Sequence, residues 1–199
     1  MVEALRGFIG LGSNLGDRLA HLQYAVDEMA GTAGLSVQRL SSVYECPPWG
    51  YVSDRLYLNA VAEVLWAGAP VDLLRQLYRT EAADGRHKRG SSPGSPPVGA
   101  MHYADRTLDL DILWLDGVAS SDAQLVLPHP LAHCRAFVLL PWAELAPSLE
   151  LDGHPLPWWI ERLPREEALA CRRLGPLLKA AGAGGNQSPA TSRPSRNGS

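Results

Sequence analysis

Two carboxylates stand two residues apart in a short apolar stretch of the sequence. Asp109 and Asp111 alternate there with Leu108, Leu110 and Ile112, and alternate side chains of a β-strand point to opposite faces of a sheet. The two acids therefore share one face, where their like charges repel each other unless a cation lies beside them. Oxygen ligands of this kind suit Mg²⁺, especially when substrate phosphates complete its coordination. The pattern alone leaves two interpretations open, a magnesium site and a half-exposed strand with solvated acids.

Basic residues lie on both sides of this acidic pair along the chain. Arg86 and Lys88 follow a predicted helix, and Arg106 directly precedes the acidic strand. Residues 90–99 consist almost entirely of Gly, Ser and Pro, which indicates a long mobile loop. A solvated surface loop is one interpretation, and a lid that closes basic side chains over a triphosphate is the other. Together with the carboxylate pair, the second interpretation favours phosphoryl transfer.

Three other features are weaker indicators of a site. Residues 12–17, GSNLGD, are rich in glycine but lack the Gly-Lys-Ser/Thr end of a P-loop, so they predict a tight turn that caps a helix. His129 stands between two prolines, and a lone histidine is more often structural than a ligand. Trp49, Tyr57 and Phe137 are candidates for a flat aromatic site, although each ring alone is more often part of a core.

The elements that must position these residues are interspersed strands and helices. Apolar residues at Leu19, Leu22, Val26 and Met29 predict a helix after the turn. Strands are predicted at residues 5–11, 35–44, 57–66 and 107–115, and further helices at residues 71–84, 137–145 and 164–178. Because crossovers are few and hairpins several, we expect an α+β fold with a mainly antiparallel sheet covered by helices.

Size and composition fit a single folded domain. The chain has 199 residues, of which 46% are hydrophobic and 20% charged, enough for one substantial core. We expect residues 1–181 to form this domain. Residues 182–199 are of low complexity and lack an apolar anchor, which predicts a disordered tail. The formal net charge of −3 argues against general binding to nucleic acid.

Location and redox state follow from two further patterns. No segment reaches the charge-free length that a bilayer requires, and residues 1–7 contain no apolar signal-peptide core. We therefore expect a cytoplasmic protein without a membrane partner, and a monomer by default. Cys46, Cys134 and Cys171 are widely spaced and form no Cys-x-x-Cys pair, so we expect reduced thiols.

Five sequence blocks, in order, make the chain resemble the 6-hydroxymethyl-7,8-dihydropterin pyrophosphokinase family between Ile9 and about Leu149. The fourth block is highly specific to that family, and the spacing departs clearly only at the Gly-rich loop. The blocks are GSNLG at 12–16, YECPPWG at 44–50, YLNA at 57–60, RTLDLDIL at 106–113, and PHP at 128–130 followed by RAF at 135–137. The resemblance implies a three-layer, ferredoxin-like α+β fold with ATP and pterin in a cleft beside the central sheet.

The resemblance also implies a reaction and roles for individual residues. The reaction transfers pyrophosphate from ATP to the hydroxymethyl group of the pterin, gives AMP and the pterin diphosphate, and belongs to tetrahydrofolate biosynthesis. Asp109 and Asp111 would bind two Mg²⁺ ions, and Arg86 and Arg106 would be the catalytic arginines. The implied ATP-binding residues are Glu81, Lys88, Tyr103, Ile112, His129 and Arg135. The implied pterin-binding residues are Pro47, Pro48, Trp49, Tyr57, Asn59 and Phe137.

The chain departs from the family pattern near its catalytic arginines. Asp105 stands where proline or another small residue is usual, and its carboxylate beside Arg106 is expected to weaken phosphate binding. Lys88 stands where arginine is common, Tyr103 where tryptophan is frequent, and the loop between Arg86 and Arg106 is longer than typical. Two alternatives stay open: a metal-dependent phosphohydrolase or nuclease that uses the same acidic pair, and a non-catalytic pterin- or nucleotide-binding relative disabled by Asp105.

Overall fold

The computed structural model describes residues 3–51, 53–85 and 105–177. None of the helices in these ranges is long and apolar enough to cross a membrane. Several predictions fall on residues outside the described ranges: Arg86, Lys88, Tyr103, the loop at 90–99 and the tail at 182–199.

The described residues form strands and helices that alternate along the chain. The strands are β1 (Leu5–Ser13), β2 (Leu35–Leu40), β3 (Ser42–Cys46), β4 (Tyr57–Trp66), β5 (Asp109–Leu115), β6 (Ser120–Asp122), β7 (Leu125–Leu127), β8 (Glu150–Leu151), β9 (His154–Pro155) and β10 (Arg172–Pro176). The α-helices are α1 (Arg18–Gly31), α2 (Pro70–Ala83), α3 (Ala136–Leu145), α4 (Leu156–Ile160) and α5 (Arg165–Ala170), and a 3₁₀ turn covers Ala132–Cys134.

One antiparallel sheet organises the molecule. Its strands follow the order β10-β3-β4-β1-β5, and β2 pairs with the second half of β4. Two small hairpins lie beside it, one formed by β6 and β7 and the other by β8 and β9. β4 has the bounds that its apolar, alternating residues 57–66 predict, and it pairs with β1 on one side and with β2 and β3 on the other. The prediction of a mainly antiparallel α+β fold is confirmed.

Helices cover both faces of this sheet. Leu22 of α1 and Leu77 of α2 pack with Ile9 of β1 in one fully buried cluster. On the opposite face, Trp142 of α3 packs against Phe8 of β1 with ring centroids 5.5 Å apart. Neighbouring residues of a strand point to opposite faces. Ile9 therefore packs against α1 and α2 on one face, and Phe8 packs against α3 on the other. Each such buried side chain contributes about 1.5–3 kcal/mol by leaving water.

Short-range signals at the helix ends are confirmed, with one exception. Asp17 Oδ1 accepts a hydrogen bond from Ala20 N at 3.1 Å, so the turn before α1 caps the helix as predicted. α2 ends before Gly85, whose φ of +93° is a conformation that glycine adopts at helix ends. Leu19 was expected on the buried face of α1, but it is 50% exposed. The buried stripe starts one turn later, at Leu22.

The strand predicted at residues 35–44 is divided into β2 and β3 at Ser41. Ser41 N donates a hydrogen bond to Val61 O at 2.9 Å, and Ser41 Oγ accepts one from Val61 N at 2.9 Å. The serine side chain therefore takes the place of a backbone partner, which keeps Val61 of β4 satisfied where the regular ladder stops. The prediction of one continuous strand at residues 35–44 was therefore wrong at Ser41.

The helix predicted at residues 164–178 was wrong in its second half. Only Arg165–Ala170 is helical, and Arg172–Pro176 forms the edge strand β10 along β3. An uncovered edge of β3 would leave backbone donors and acceptors unpaired, and β10 satisfies them. The ion pair of Arg172 Nη2 with Glu45 Oε2 at 2.8 Å supports the same register.

The pairing of β10 with β3 also overturns the expectation of three reduced thiols. Cys46, at the end of β3, forms a disulfide with Cys171, just before β10, across 125 positions of the sequence. Their Cα atoms lie 4.3 Å apart because the antiparallel strands bring these ends together. Cys134 is a free thiol.

Candidate functional site

A cavity of about 310 Å³ opens on the α3 face of the sheet, where β1 ends and β4 and β5 begin. Residues of these three strands, of the start of α3 and of the connection between β3 and β4 line it. The sequence-predicted site residues that line it are Pro47, Trp49, Tyr57, Asn59, Arg106, Asp109, Asp111, His129, Arg135 and Phe137. Distant parts of the chain therefore meet in one cleft.

The two acids of β5 lie side by side in this cavity. Asp109 and Asp111 are half-buried and face it together, while Leu110 between them is buried in the core on the other face. Across the sheet, Gly12 and Gly10 of β1 stand opposite these acids. A Cβ atom at Gly12 would lie 3.4 Å from Asn59 Oδ1 and 3.8 Å from Asp109 Cβ. Glycine therefore keeps the space beside the carboxylates open.

Arg106 provides positive charge next to the acidic pair. Its Nη1 forms an ion pair with Asp109 Oδ1, and the two side chains are 25% and 27% exposed. Burial opposes the charge on Arg106, but Asp109, with smaller contributions from Tyr57 and Asp111, raises the pKa of the guanidinium above its usual value. The cavity thus contains a permanent cation beside two carboxylates.

Asn14 holds the backbone at the start of the acidic strand, a role that sequence reasoning missed. Its Oδ1 accepts a hydrogen bond from Arg106 N at 2.7 Å, and its Nδ2 donates to Asp105 Oδ1 at 2.7 Å. Asn14 N also donates to Arg106 O at 3.1 Å. Only 4% of Asn14 is exposed, so these bonds are poorly replaced by water. The one available signal was a polar residue in the glycine-rich turn that follows β1.

Two tyrosines join the wall of the cavity. The hydroxyl groups of Tyr51 and Tyr57 lie 2.9 Å apart. Burial, and then the hydrogen bond with Tyr51, raises the pKa of Tyr57 far above its usual value. Tyr57 is therefore a neutral hydroxyl under all ordinary conditions, and its ring offers an uncharged flat surface.

An arginine lies between two further aromatic rings. The guanidinium carbon of Arg135 is 4.9 Å from the ring centroid of Trp49 and 5.6 Å from that of Phe137. Cations are attracted to aromatic faces at such distances. Arg135 is 8% exposed, and its Nε has no hydrogen-bond partner among the described residues. A buried guanidinium donor of this kind is suited to an anionic or polar ligand group.

Asn59 places an amide on the cavity surface. The residue is 5% exposed, and within the described ranges its Nδ2 has no hydrogen-bond partner. An unpaired buried donor costs about 1–3 kcal/mol, which a ligand acceptor would recover. The amide lies near Gly12 and between the aromatic wall and the acidic pair. It can therefore bind the polar edge of a flat ligand.

His129 is held in one tautomer. Its backbone N donates to Leu113 O at 2.9 Å, and its Nδ1 accepts a hydrogen bond from Leu131 N at 3.2 Å. The ring proton of the neutral form therefore lies on Nε2. Burial, and then the charge of Arg135, lowers the pKa of His129 to about 4. At neutral pH His129 thus offers an uncharged N–H donor to the cavity.

Three of the described residues implied by the resemblance do not line the cavity: Pro48, Glu81 and Ile112. Glu81 is 1% exposed, and its Oε1 accepts a hydrogen bond from Leu110 N at 2.8 Å. This bond satisfies a donor on the outer edge of β5 and steadies the strand between the two acids. Ile112 is buried in the core. Direct ligand contacts by these residues stay a prediction.

The chain is similar to known proteins over most of its length. The profile of the family described as 7,8-dihydro-6-hydroxymethylpterin-pyrophosphokinase matches residues 8–147. A 2-amino-4-hydroxy-6-hydroxymethyldihydropteridine pyrophosphokinase of Methylorubrum extorquens is 39% identical over 149 residues, which covers 75% of this chain and 87% of that protein. The Bacillus subtilis protein of the same name is 34% identical over 146 residues, covering 73% of this chain and 81% of its own.

Solved structures agree at the level of the fold. The crystal structure of HPPK-DHPS from Plasmodium falciparum has a TM-score of 0.58 and 11% sequence identity to this chain. The match covers 80% of this chain and 45% of the other, so the chain spans less than half of that longer protein. The profile match over most of its length and the 39% identity to a relative that it largely covers show that the chain belongs to the 7,8-dihydro-6-hydroxymethylpterin-pyrophosphokinase family.

Proposed function

We propose that the chain transfers pyrophosphate from ATP to the hydroxymethyl oxygen of 6-hydroxymethyl-7,8-dihydropterin, giving AMP and the pterin diphosphate in tetrahydrofolate biosynthesis. Its relatives carry the name of this enzyme. One observation carries the proposal: a single cavity joins the acids Asp109 and Asp111, the cation Arg106 and the buried amide of Asn59 among aromatic rings. This combination suits a reaction between a nucleoside triphosphate and a flat polar heterocycle.

The donors in the cavity fit Mg²⁺. Asp109 and Asp111 present hard oxygen ligands on one face and leave the remaining coordination positions to water and phosphate oxygens, which is the usual pattern for this ion. We propose that the pair holds two Mg²⁺ ions together with ATP. When bound, the ions neutralise charge on the phosphates.

The aromatic side of the cavity is the proposed pterin site. Phe137, Tyr57 and Trp49 supply flat surfaces for ring stacking. The Nδ2 of Asn59, which no described residue pairs with, would donate to an acceptor on the pterin edge. Because a ligand acceptor would satisfy a buried donor, the amide discriminates against heterocycles that lack an acceptor at that position.

The proposed chemical step is a direct displacement. The hydroxymethyl oxygen forms a bond to the β-phosphorus of ATP, the bond from that phosphorus to the α,β-bridging oxygen breaks, and the hydroxyl proton passes to solvent. Arg106 stabilises the negative charge of the transferring group, and the Nε2–H of His129 donates a hydrogen bond to a phosphate oxygen. The remaining contribution is the alignment of both substrates in one cavity. Arg86 stays a predicted catalytic arginine and Lys88 a predicted ATP-binding residue, and both lie outside the described residues.

We also propose that the fold is of the three-layer, ferredoxin-like type. Helices on both faces of an antiparallel sheet support a three-layer, ferredoxin-like arrangement. The monomeric state and the cytoplasmic location stay predictions from the sequence.

Product analysis tests the proposed function. AMP that appears only when the hydroxymethyl pterin is present is the expected result. Phosphate release without the pterin would identify a phosphohydrolase instead, and binding without turnover would identify a non-catalytic relative. Asp109→Asn and Asp111→Asn are expected to lower turnover at least about a hundredfold, because each removes a carboxylate that would hold the Mg²⁺ whose charge offsets that of the phosphates.

Asp116→Asn is the matched control for these two variants. Asp116 is exposed and directly follows the other end of β5, so it changes the same charge without touching the cavity. Near-normal turnover in Asp109→Asn and Asp111→Asn, or an equal loss in the control, would contradict the assignment.

A further inference from the structure

The carboxylate of Asp105 connects two parts of the chain that border the cavity. Its Oδ1 accepts hydrogen bonds from Asn14 Nδ2 at 2.7 Å and from the Tyr51 hydroxyl at 3.4 Å. Its Oδ2 forms an ion pair with Arg55 Nη1 at 2.7 Å. Asn14 belongs to the turn after β1, whereas Tyr51 and Arg55 belong to residues 47–56, the β3–β4 connection. One side chain therefore ties this connection to the start of β5.

The β3–β4 connection forms one wall of the cavity. Trp49 and Tyr51 line it, and the Tyr51 hydroxyl also contacts that of Tyr57 at 2.9 Å. The end of the connection is attached to α1, because Arg18 Nη1 donates a hydrogen bond to Leu56 O at 2.8 Å. Asp105 attaches the middle of the connection, through Tyr51 and Arg55, close to the aromatic residues that line the cavity.

Asp105 itself does not line the cavity. The expectation that it weakens phosphate binding assumed that its charge acts mainly on Arg106. In the structure this charge is paired with Arg55 and hydrogen-bonded to Asn14. We propose that Asp105 is a positioning residue. Its contacts with Asn14, Tyr51 and Arg55, called the latch below, hold the β3–β4 connection in place as a wall of the cavity and so tighten pterin binding. This inference rests on the proposed function.

The size of the effect follows from the exposure of the latch. The side chains of Arg55 and Asp105 are 58% and 29% exposed, so the ion pair alone contributes little, and the hydrogen bonds contribute the rest. We expect loss of Asp105 to weaken pterin binding about three- to tenfold. The affinity for an ATP analogue should change by less than about twofold, because the lost contacts border the aromatic wall and act locally.

Calorimetric titration of the full chain with the hydroxymethyl pterin, and separately with a non-hydrolysable ATP analogue and Mg²⁺, tests the latch. Asp105→Ala and Arg55→Ala are both expected to raise the Kd for the pterin. The double variant should lose no more than the weaker-binding single variant, since both changes break the same pair. Arg55→Lys, which keeps the charge, should recover part of the affinity. An unchanged pterin Kd in Asp105→Ala, or an equal loss for both ligands, overturns the proposal.

Arg55→Ala tests the latch without changing the residue adjacent to Arg106, and because the Arg55 side chain is 58% exposed, the fold is expected to tolerate the change. Asp72→Ala is the matched control, since Asp72 forms an exposed ion pair with Arg75 at 2.8 Å on α2. This control is expected to leave both affinities unchanged. A loss of pterin affinity in Asp72→Ala as large as that in Asp105→Ala would also overturn the proposal.

Hydrogen exchange in the ligand-free protein distinguishes failure of the latch from failure of the proposed function. Amides of residues 49–56 are expected to exchange faster in Asp105→Ala and Arg55→Ala than in the wild type and in Asp72→Ala. Unchanged exchange overturns the latch. Faster exchange in a protein whose wild type binds no pterin supports the latch and refutes the proposed function.

Discussion

Asn14→Ala removes the side chain that joins the turn after β1 to the start of β5. The backbone N–H of Arg106 then loses its acceptor at 2.7 Å, and Asp105 loses a donor at 2.7 Å. Because Asn14 is only 4% exposed, the orphaned N–H is expected to cost about 1–3 kcal/mol. Asp105 is partly exposed and keeps Arg55 as a partner, so its loss adds about 1 kcal/mol. We expect the free energy of unfolding to fall by about 2–4 kcal/mol in total.

Urea unfolding at equilibrium measures this change, with an unchanged slope showing that the folded state is still compact. The same variant should lower kcat/KM for ATP at least about tenfold, since the backbone of Arg106 loses its bond to the Asn14 side chain and its guanidinium is positioned less precisely in the cavity. A free energy of unfolding within about 0.5 kcal/mol of the wild type would refute the reasoning.

A reciprocal exchange provides the control. Asn14→Asp keeps an acceptor for Arg106 N but places a second carboxylate against Asp105, so it should destabilise the fold through repulsion. Asp105→Asn, added to it, restores a donor and an acceptor with their roles reversed. The double variant is therefore expected to be more stable than Asn14→Asp alone. If the two losses simply add, Asn14 and Asp105 do not interact as described.

Three further predictions concern other contacts of the site. Phe137→Ala should weaken pterin binding about five- to tenfold by calorimetry and leave the ATP analogue nearly unaffected; equal losses would place the pterin elsewhere. Because the pKa of His129 is lowered to about 4 in the folded state from about 6.5 in the unfolded state, the unfolded state binds more protons between these values. Stability should therefore fall as the pH drops through this window, and His129→Gln should flatten that part of the stability curve; identical curves would contradict the assignment. Native alkylation without reductant should label Cys134 alone, whereas reduction should expose Cys46 and Cys171 and lower the melting temperature; three labelled thiols before reduction would refute the pairing.

Several features of the fold and the site could be predicted because they depend on local periodicity. Alternation along residues 107–115 was enough to place Asp109 and Asp111 on one face, and the structure shows both in the cavity. The bounds of β4 followed from its alternating apolar residues. The turn at residues 12–17 was predicted to cap a helix, and Asp17 supplies the cap, because a cap needs only its own first turn.

Other features depended on contacts between distant parts of the chain. Residues 172–176 form a strand because they pair with the open edge of β3, although their sequence pattern is helical. Asn14 and Asp105 are 91 positions apart, and Cys46 and Cys171 are 125 apart. No local pattern of apolar and polar residues indicates such pairs, since each depends on which surfaces the packed sheet brings together.

The sequence by itself therefore determined the acidic pair, the neighbouring arginine, the main strands and helices and, through its five blocks, the family. Only the tertiary structure decided that Arg106 is anchored by Asn14, that Glu81 supports the backbone of β5, and that Asp105 is paired with Arg55. The physical reason is that backbone geometry repeats every two or 3.6 residues and is visible in the order of residue types. Hydrogen bonds and ion pairs between separate segments depend instead on distances that exist only once the sheet and its helices have packed.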